Sequence, residues 1–205
     1  MQLKLSYFDI KGRAEPIRLA LTIGGVAFED HRFKREEWQT LKPTLPFHQV
    51  PVLAVDGKVV AQSLGLLRYA GILSHLYPTD DPFKGLLIDQ VIYQIADIKD
   101  ALGPTLRETD EAKKLAARQK IASDIWPNQF AGLESVIATH GSKHFAVGDS
   151  LTIADVLVYI VVGELRTGKY DGIPVAFIEE YKRLIAIYEQ VSKHPKVADW
   201  ESTHK

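Results

Sequence analysis

The chain has no cysteine among its 205 residues. That excludes disulfides, thiolate metal sites and any thiol nucleophile of the protein's own, so sulfur chemistry here must use sulfur that arrives with a ligand. An excess of either charge is also missing. The 25 basic and 26 acidic side chains leave a formal net charge of -1, which removes the basic footprint of a general nucleic-acid binder. No apolar run approaches the roughly 18 residues of a membrane-spanning helix. The opening segment from Met1 to Arg13 is too polar for a signal peptide, so a cytoplasmic location is expected. Repeats and low-complexity tracts are absent too. Seven histidines are present, but none sits in a metal-ligand pattern: His140 and His144 are separated by Gly141 and Ser142, a turn rather than a helix face. The run from Gly163 to Lys169 has phosphate-loop spacing, yet Tyr170 stands where a magnesium-binding hydroxyl belongs, and a helix precedes it instead of a strand.

What is there suffices for a core: 46% of residues are hydrophobic and 25% are charged, the balance of an ordinary globular surface and interior. A linker is expected over Tyr77 to Pro82, which holds two prolines and no apolar periodicity. Before it, Leu3 to Tyr7 alternates as a strand. Glu15 and Pro16 open an apolar helix that Gly24 and Gly25 end. A strand over Phe28 to Phe33 and a short polar helix over Arg35 to Leu41 follow. Two strands, Pro51 to Val55 and Lys58 to Ala61, flank the turn pair Asp56 and Gly57, and Ser63 is placed to cap a helix to about Leu76. After the linker only helical periods appear: Phe83 to Arg107, Glu111 to His140 with a break at Pro127, Thr152 to Arg166, Pro174 to Ser192, and a short piece near Val197. Thr152 and Asp155 form a capping box, and Leu151 is placed to staple to Val156.

Three segments could meet at one sheet edge. Tyr7 ends the first strand, where open α/β sheets bind ligands, although a tyrosine there also serves as ordinary core. Val50 and Pro51 begin a strand whose exposed amide suits a peptide backbone. Gln62 and Ser63 stand at a strand-to-helix junction, where free N–H groups attract a carboxylate.

The run from Tyr7 to Arg18, then Gln49 to Leu53, then Gln62 to Tyr69, resembles the N-terminal domain of the cytosolic glutathione S-transferases of the tyrosine type, closest to the sigma class. Val147 to Asp155 is similar to the segment that opens that family's core helix. The resemblance spans essentially the whole chain. It implies an α/β plus all-α architecture, with a thioredoxin-like βαβαββα domain over residues 1–77. An all-helical domain over residues 83–205 would carry part of an apolar electrophile pocket, which draws on Phe8, the Gly103-Pro104 bend region and the helix around Leu157 to Ile160. Tyr7 would donate its hydroxyl to the glutathione sulfur, with Arg13 supporting the thiolate. Pro51 would be cis and Val50 would pair with the cysteinyl backbone. Gln62 and Ser63 would hold the γ-glutamyl carboxylate, and Trp38, Lys42 and Gln49 the glycyl end. Asp97 would reach the γ-glutamyl ammonium from the partner subunit of a homodimer.

The residues alone leave alternatives. Trp38 could cover an apolar patch, Lys42 could be a solvated charge, Arg13 could pair with Glu15 or Asp9, and Asp97 could belong to an exposed helix face. Phe47 stands where related classes insert an aromatic key into the partner, which sigma proteins usually lack; it could equally pack on its own domain. The implied reaction is conjugation of glutathione to small hydrophobic electrophiles, without a metal, nucleic acid or membrane. Glutathione-dependent isomerisation of the prostaglandin type, peroxide reduction, and a non-catalytic carrier or crystallin-like role are the alternatives.

Overall fold

The structure, a computed structural model, describes residues 1–204. It contains two compact units. The first joins Met1–Thr79 to the last helix, and the second runs over Asp80–His194.

The first unit is built on a four-stranded sheet of β1 (Leu3–Phe8), β2 (Glu29–Phe33), β3 (Val52–Val55) and β4 (Lys58–Ala61) in the order β2-β1-β3-β4. β1 pairs in parallel with β2, while β1–β3 and β3–β4 are antiparallel. Asp56 and Gly57 turn β3 into β4 with φ of 47° and 82°, the pair of left-handed residues that a two-residue hairpin requires. The connection between β1 and β2 is α1 (Glu15–Gly24), ended by Gly25 at φ 70°. Ile17, Leu19 and Leu21 of α1, Leu5 of β1 and Leu53 of β3 are fully buried, as is Ala70 of α3 (Ser63–Leu73). α2 (Trp38–Leu41) is one turn long. The expected cap of α3 is displaced by one residue: Gln62 is the cap position, Ser63 is the first helical residue, and no side chain closes that end.

The last helix of the stretch expected to be helical over 83–205 packs with the first unit. α9 (Pro195–Thr203) belongs to the first unit. Its Val197 and Trp200 are buried, the Trp200 indole donates to Glu15 Oε1 at 2.7 Å, and Lys196 Nζ donates to the Ile23 carbonyl at 3.0 Å. With α9 on it, α1 is covered nearly all round, which is why it lacks a polar face.

The second unit is helical throughout its described elements: α4 (Pro82–Leu102), α5 (Glu111–Lys120), α6 (Trp126–His140), α7 (Ile153–Arg166) and α8 (Lys182–Ser192). Ile88, Ile95 and Ile98 of α4, Phe130 and Ile137 of α6 and most of α7 make its core. Three expected helices are shorter or more segmented than their periods suggest. A 3-10 turn holding Pro104 takes over from α4 at Gly103. One π turn, Ile121–Ile125, separates α5 from α6, beside Pro127, whose missing N–H cannot extend a regular ladder. Another 3-10 segment, Val175–Glu180, precedes α8. No helix among the described residues is long and apolar enough to cross a membrane.

Candidate active site

β1 carries Tyr7 to the sheet's end. The register sets Ser6 beside Val52 and Val52 beside Ala61. Continued by one residue along each strand, it brings Tyr7, Pro51 and Gln62 into one row across the sheet. The three segments singled out in the sequence therefore share one edge.

The Tyr7 side chain is mostly buried, at 8% exposure, and its hydroxyl oxygen accepts the Arg13 backbone N–H at 3.3 Å. A phenol that accepts at its oxygen still has its single hydrogen to give. Gly12 makes that approach feasible. At φ +46° it adopts a left-handed conformation, and a Cβ there would lie 2.7 Å from the Tyr7 oxygen, inside any tolerable contact. Arg13 itself is exposed.

The Val50–Pro51 peptide is cis, as the resemblance implies. Gln62 is exposed and has φ 82° and ψ 95°, a left-handed conformation for a residue with a Cβ. Such strain persists where surrounding structure enforces it and concentrates at ligand sites. Immediately after it, the first intrahelical bond of α3 runs from Leu66 N to the Gln62 carbonyl, so the N–H groups of Ser63 to Gly65 precede the helical ladder and face an anion with the positive end of the helix dipole.

Trp38 stacks on Phe33, with ring centroids 6.1 Å apart at 7°, and meets Phe8 edge-on at 5.4 Å. It does cover an apolar patch, and those contacts hold α2 beside the end of β1. Lys42 and Gln49 are exposed in the excursion between β2 and β3. Phe47 is 68% exposed at φ 55°. Asp97 lies on the exposed side of α4, in the second unit.

Two residues that sequence reasoning left unassigned adjoin the site. Glu15 and Arg18 of α1 are both fully buried and paired at 3.1 Å. Charges three apart in a helix otherwise made of Ile17, Leu19, Ala20 and Leu21 are the signal that could have found them. Nearby, burial works to lower the Arg32 pKa, but its bonds to Asp30 and Asp9 prevail and raise it.

Chemically, the edge offers a hydroxyl donor, a backbone at Val50 that enters none of the strand pairings, and an anion-accepting helix end. Those are the parts needed to hold a short peptide carrying a free carboxylate and to stabilise a developing anion at its centre. The comparisons agree. The N-terminal domain model of the glutathione S-transferases matches residues 3–71 and their C-terminal domain model residues 96–204. This chain belongs to the glutathione S-transferase family. Glutathione S-transferase 1 of Ascaris suum is 34% identical over 202 residues, covering 97% of this chain and 95% of its own. Hematopoietic prostaglandin D synthase of Gallus gallus is 33% identical over 198 residues, covering 96% and 94%. The solved structure of prostaglandin synthase D of Nilaparvata lugens superposes with a TM-score of 0.88 at 30% identity, over 100% of this chain and 99% of that one. The thioredoxin-like and all-helical parts expected from the sequence are thus those of the glutathione S-transferase fold.

Proposed function

We propose that this transferase activates glutathione as a thiolate at Tyr7 and conjugates it to small hydrophobic electrophiles. The observation that carries the reading is the Tyr7 hydroxyl, oriented by the Arg13 N–H at 3.3 Å and keeping its hydrogen for a sulfur. A thiol near pKa 8.5 is only about 3% ionised at pH 7. Lowering it by two units makes it roughly three-quarters ionised, at about 2.7 kcal/mol of preference for the anion, within reach of a charge-assisted bond from Tyr7 aided by Arg13. Nucleophilicity falls with basicity and returns about 6- to 10-fold of that gain. Activation alone therefore accelerates only a few-fold, and the rest comes from holding the electrophile beside the sulfur.

In this reading Gln62 and Ser63 hold the γ-glutamyl carboxylate, Val50 and the cis Pro51 pair with the cysteinyl backbone, and Trp38, Lys42 and Gln49 hold the glycyl end. A homodimer completes each site with Asp97 of the partner. The exposed stripe of α4, with Phe83, Leu86 and Tyr93 at helical spacing before Asp97, supports such an interface, and exposed Phe47 serves as its aromatic key. We place the chain in the sigma class on its motif runs, and in the cytoplasm, working without a metal.

The test is purified protein with glutathione and 1-chloro-2,4-dinitrobenzene. Thioether absorbance is expected, and glutathione binding without turnover would favour a carrier. Similarity to the prostaglandin D synthase of Gallus gallus supports a second reading, isomerisation of prostaglandin H2 at the same thiolate. Turnover of that substrate exceeding conjugation would make it the primary one.

A further inference from the structure

The first unit buries an ionic cluster behind the Tyr7 row. Arg18 is 0% exposed, and a guanidinium does not shed its charge on burial, so the oxygens around it must offset the lost hydration. Nε donates to Asp30 Oδ1 at 2.9 Å. Nη1 is shared among the Ile10 carbonyl at 2.9 Å, the Lys11 carbonyl at 3.2 Å and Glu15 Oε2 at 3.1 Å. Nη2 is buried without a hydrogen-bond partner, and the guanidinium carbon lies 5.9 Å from the centroid of the Tyr7 ring, within cation–π range. The two carbonyls belong to the turn that continues into Gly12 and Arg13, whose N–H reaches the phenolic oxygen. That N–H bond, at 3.3 Å, is already at the long end of the range, so a small drift of the turn would break it.

Glu15 is equally buried, and its second oxygen accepts the Trp200 indole at 2.7 Å. Lys11 pairs with Glu201, a second tie from α9 to the same turn. On the β2 side the cluster closes with Arg32, bonded to Asp30 at 2.7 Å and to Asp9 at 3.4 Å. Take Arg18 away and Asp9, Glu15 and Asp30 face a single guanidinium.

We infer that Arg18 is a positioning residue for the reaction and that Trp200, through Glu15, locks it in place: together they hold the turn after β1 so that its N–H fixes the Tyr7 hydroxyl. The inference rests on the role proposed for Tyr7. Its consequence is that a side chain some 185 residues away in sequence governs how well bound glutathione ionises.

The experiment follows thiolate absorbance of enzyme-bound glutathione against pH, with glutathione affinity by calorimetry and melting temperature as a check on folding. Trp200→Phe keeps the ring and removes the donor. Arg18→Lys keeps the charge but, with three N–H donors on one nitrogen, cannot serve the two carbonyls, Glu15 and Asp30 at once. Trp200→Phe is expected to raise the ionisation midpoint by about half a pH unit, lowering kcat/KM about threefold at pH values well below the midpoint, with recovery at alkaline pH and glutathione affinity kept within about twofold. Arg18→Lys should move the midpoint by about one unit, a tenfold loss in the same low-pH range. Lowered melting temperatures with an unmoved midpoint in both variants overturn the positioning role. If Tyr7→Phe itself leaves the midpoint unmoved, the function proposed for Tyr7 fails instead, and the two failures are told apart.

Discussion

Glu15 and Asp155 are both 0% exposed, and both sit in the first turn of the most buried helix of their unit. They are stabilised in opposite ways. Glu15 faces a guanidinium one turn along its own helix and an indole brought from the far end of the chain. Asp155 meets no cation. Its oxygens accept the Ala146 N–H at 2.6 Å, the Thr152 N–H at 2.7 Å and the Thr152 hydroxyl at 2.8 Å, all within ten residues of it. A carboxylate answered by neighbouring amides anchors one helix. Answered by a buried cation that also grips a turn, it reaches into a site. The same chemical group serves stability in the helical unit and geometry in the sheet unit.

The largest break in that comparison should come from Arg18→Met, which leaves the buried Glu15 without its cation and takes one of two guanidinium partners from Asp30. A loss of about 3–5 kcal/mol is expected in urea unfolding, with most conjugating activity gone. Tyr7→Phe should instead leave stability near wild type and abolish most turnover, while glutathione affinity in titration calorimetry stays within about tenfold.

Asp155→Ala leaves the Ala146 and Thr152 amides without partners, and about 2–3 kcal/mol should be lost without any change in the pH at which bound glutathione ionises. The acid also has a pH signature. Burial pushes its carboxyl up to about 6 from the ordinary 3.8, against the lowering effect of its three donors. The folded protein then holds this proton more tightly than the unfolded chain. The contribution is complete below about pH 4 and lost as pH rises through about 6. Unfolding free energies measured between those values should show that slope in the wild type and lack it in Asp155→Asn.

Gln62→Gly should have the smallest effect on folding. Relief of a left-handed side chain, offset by the entropy of glycine, is expected to stabilise by about 0.5 kcal/mol. Glutathione affinity should fall at the same time, because the amide proposed to hold the γ-glutamyl carboxylate is gone. A variant with weakened stability and intact binding would show that the strain serves the fold rather than the ligand.

Much of this was legible in the chain because the signals are local. The Asp56–Gly57 hairpin, the Thr152–Asp155 cap and the alternation of β1 each depend on residues within a few positions, and each formed where expected. Tyr7, Pro51 and Gln62 were legible as separate segments. Their alignment is a matter of strand register, which the hairpin and the apolar faces of β1 and β3 fix together. What stayed hidden was long-range. The period of α9 marked a helix near Val197, but nothing in that short segment said that Trp200 would find Glu15. Arg18 stayed unassigned because its partners, Asp30 and the Ile10 and Lys11 carbonyls, lie outside the helix that carries it. The π turn before Trp126 and the 3-10 segment at Gly103 escaped for a different reason: proline announces an interruption without specifying its form.

The packing of α9 on α1 also has a temporal side. During synthesis the sheet and α1 emerge first, and more than a hundred residues of the helical unit follow before the indole that completes the Glu15–Arg18 pair leaves the ribosome. Until then Glu15 is one donor short, so the half of the molecule made earliest is among the last to be finished.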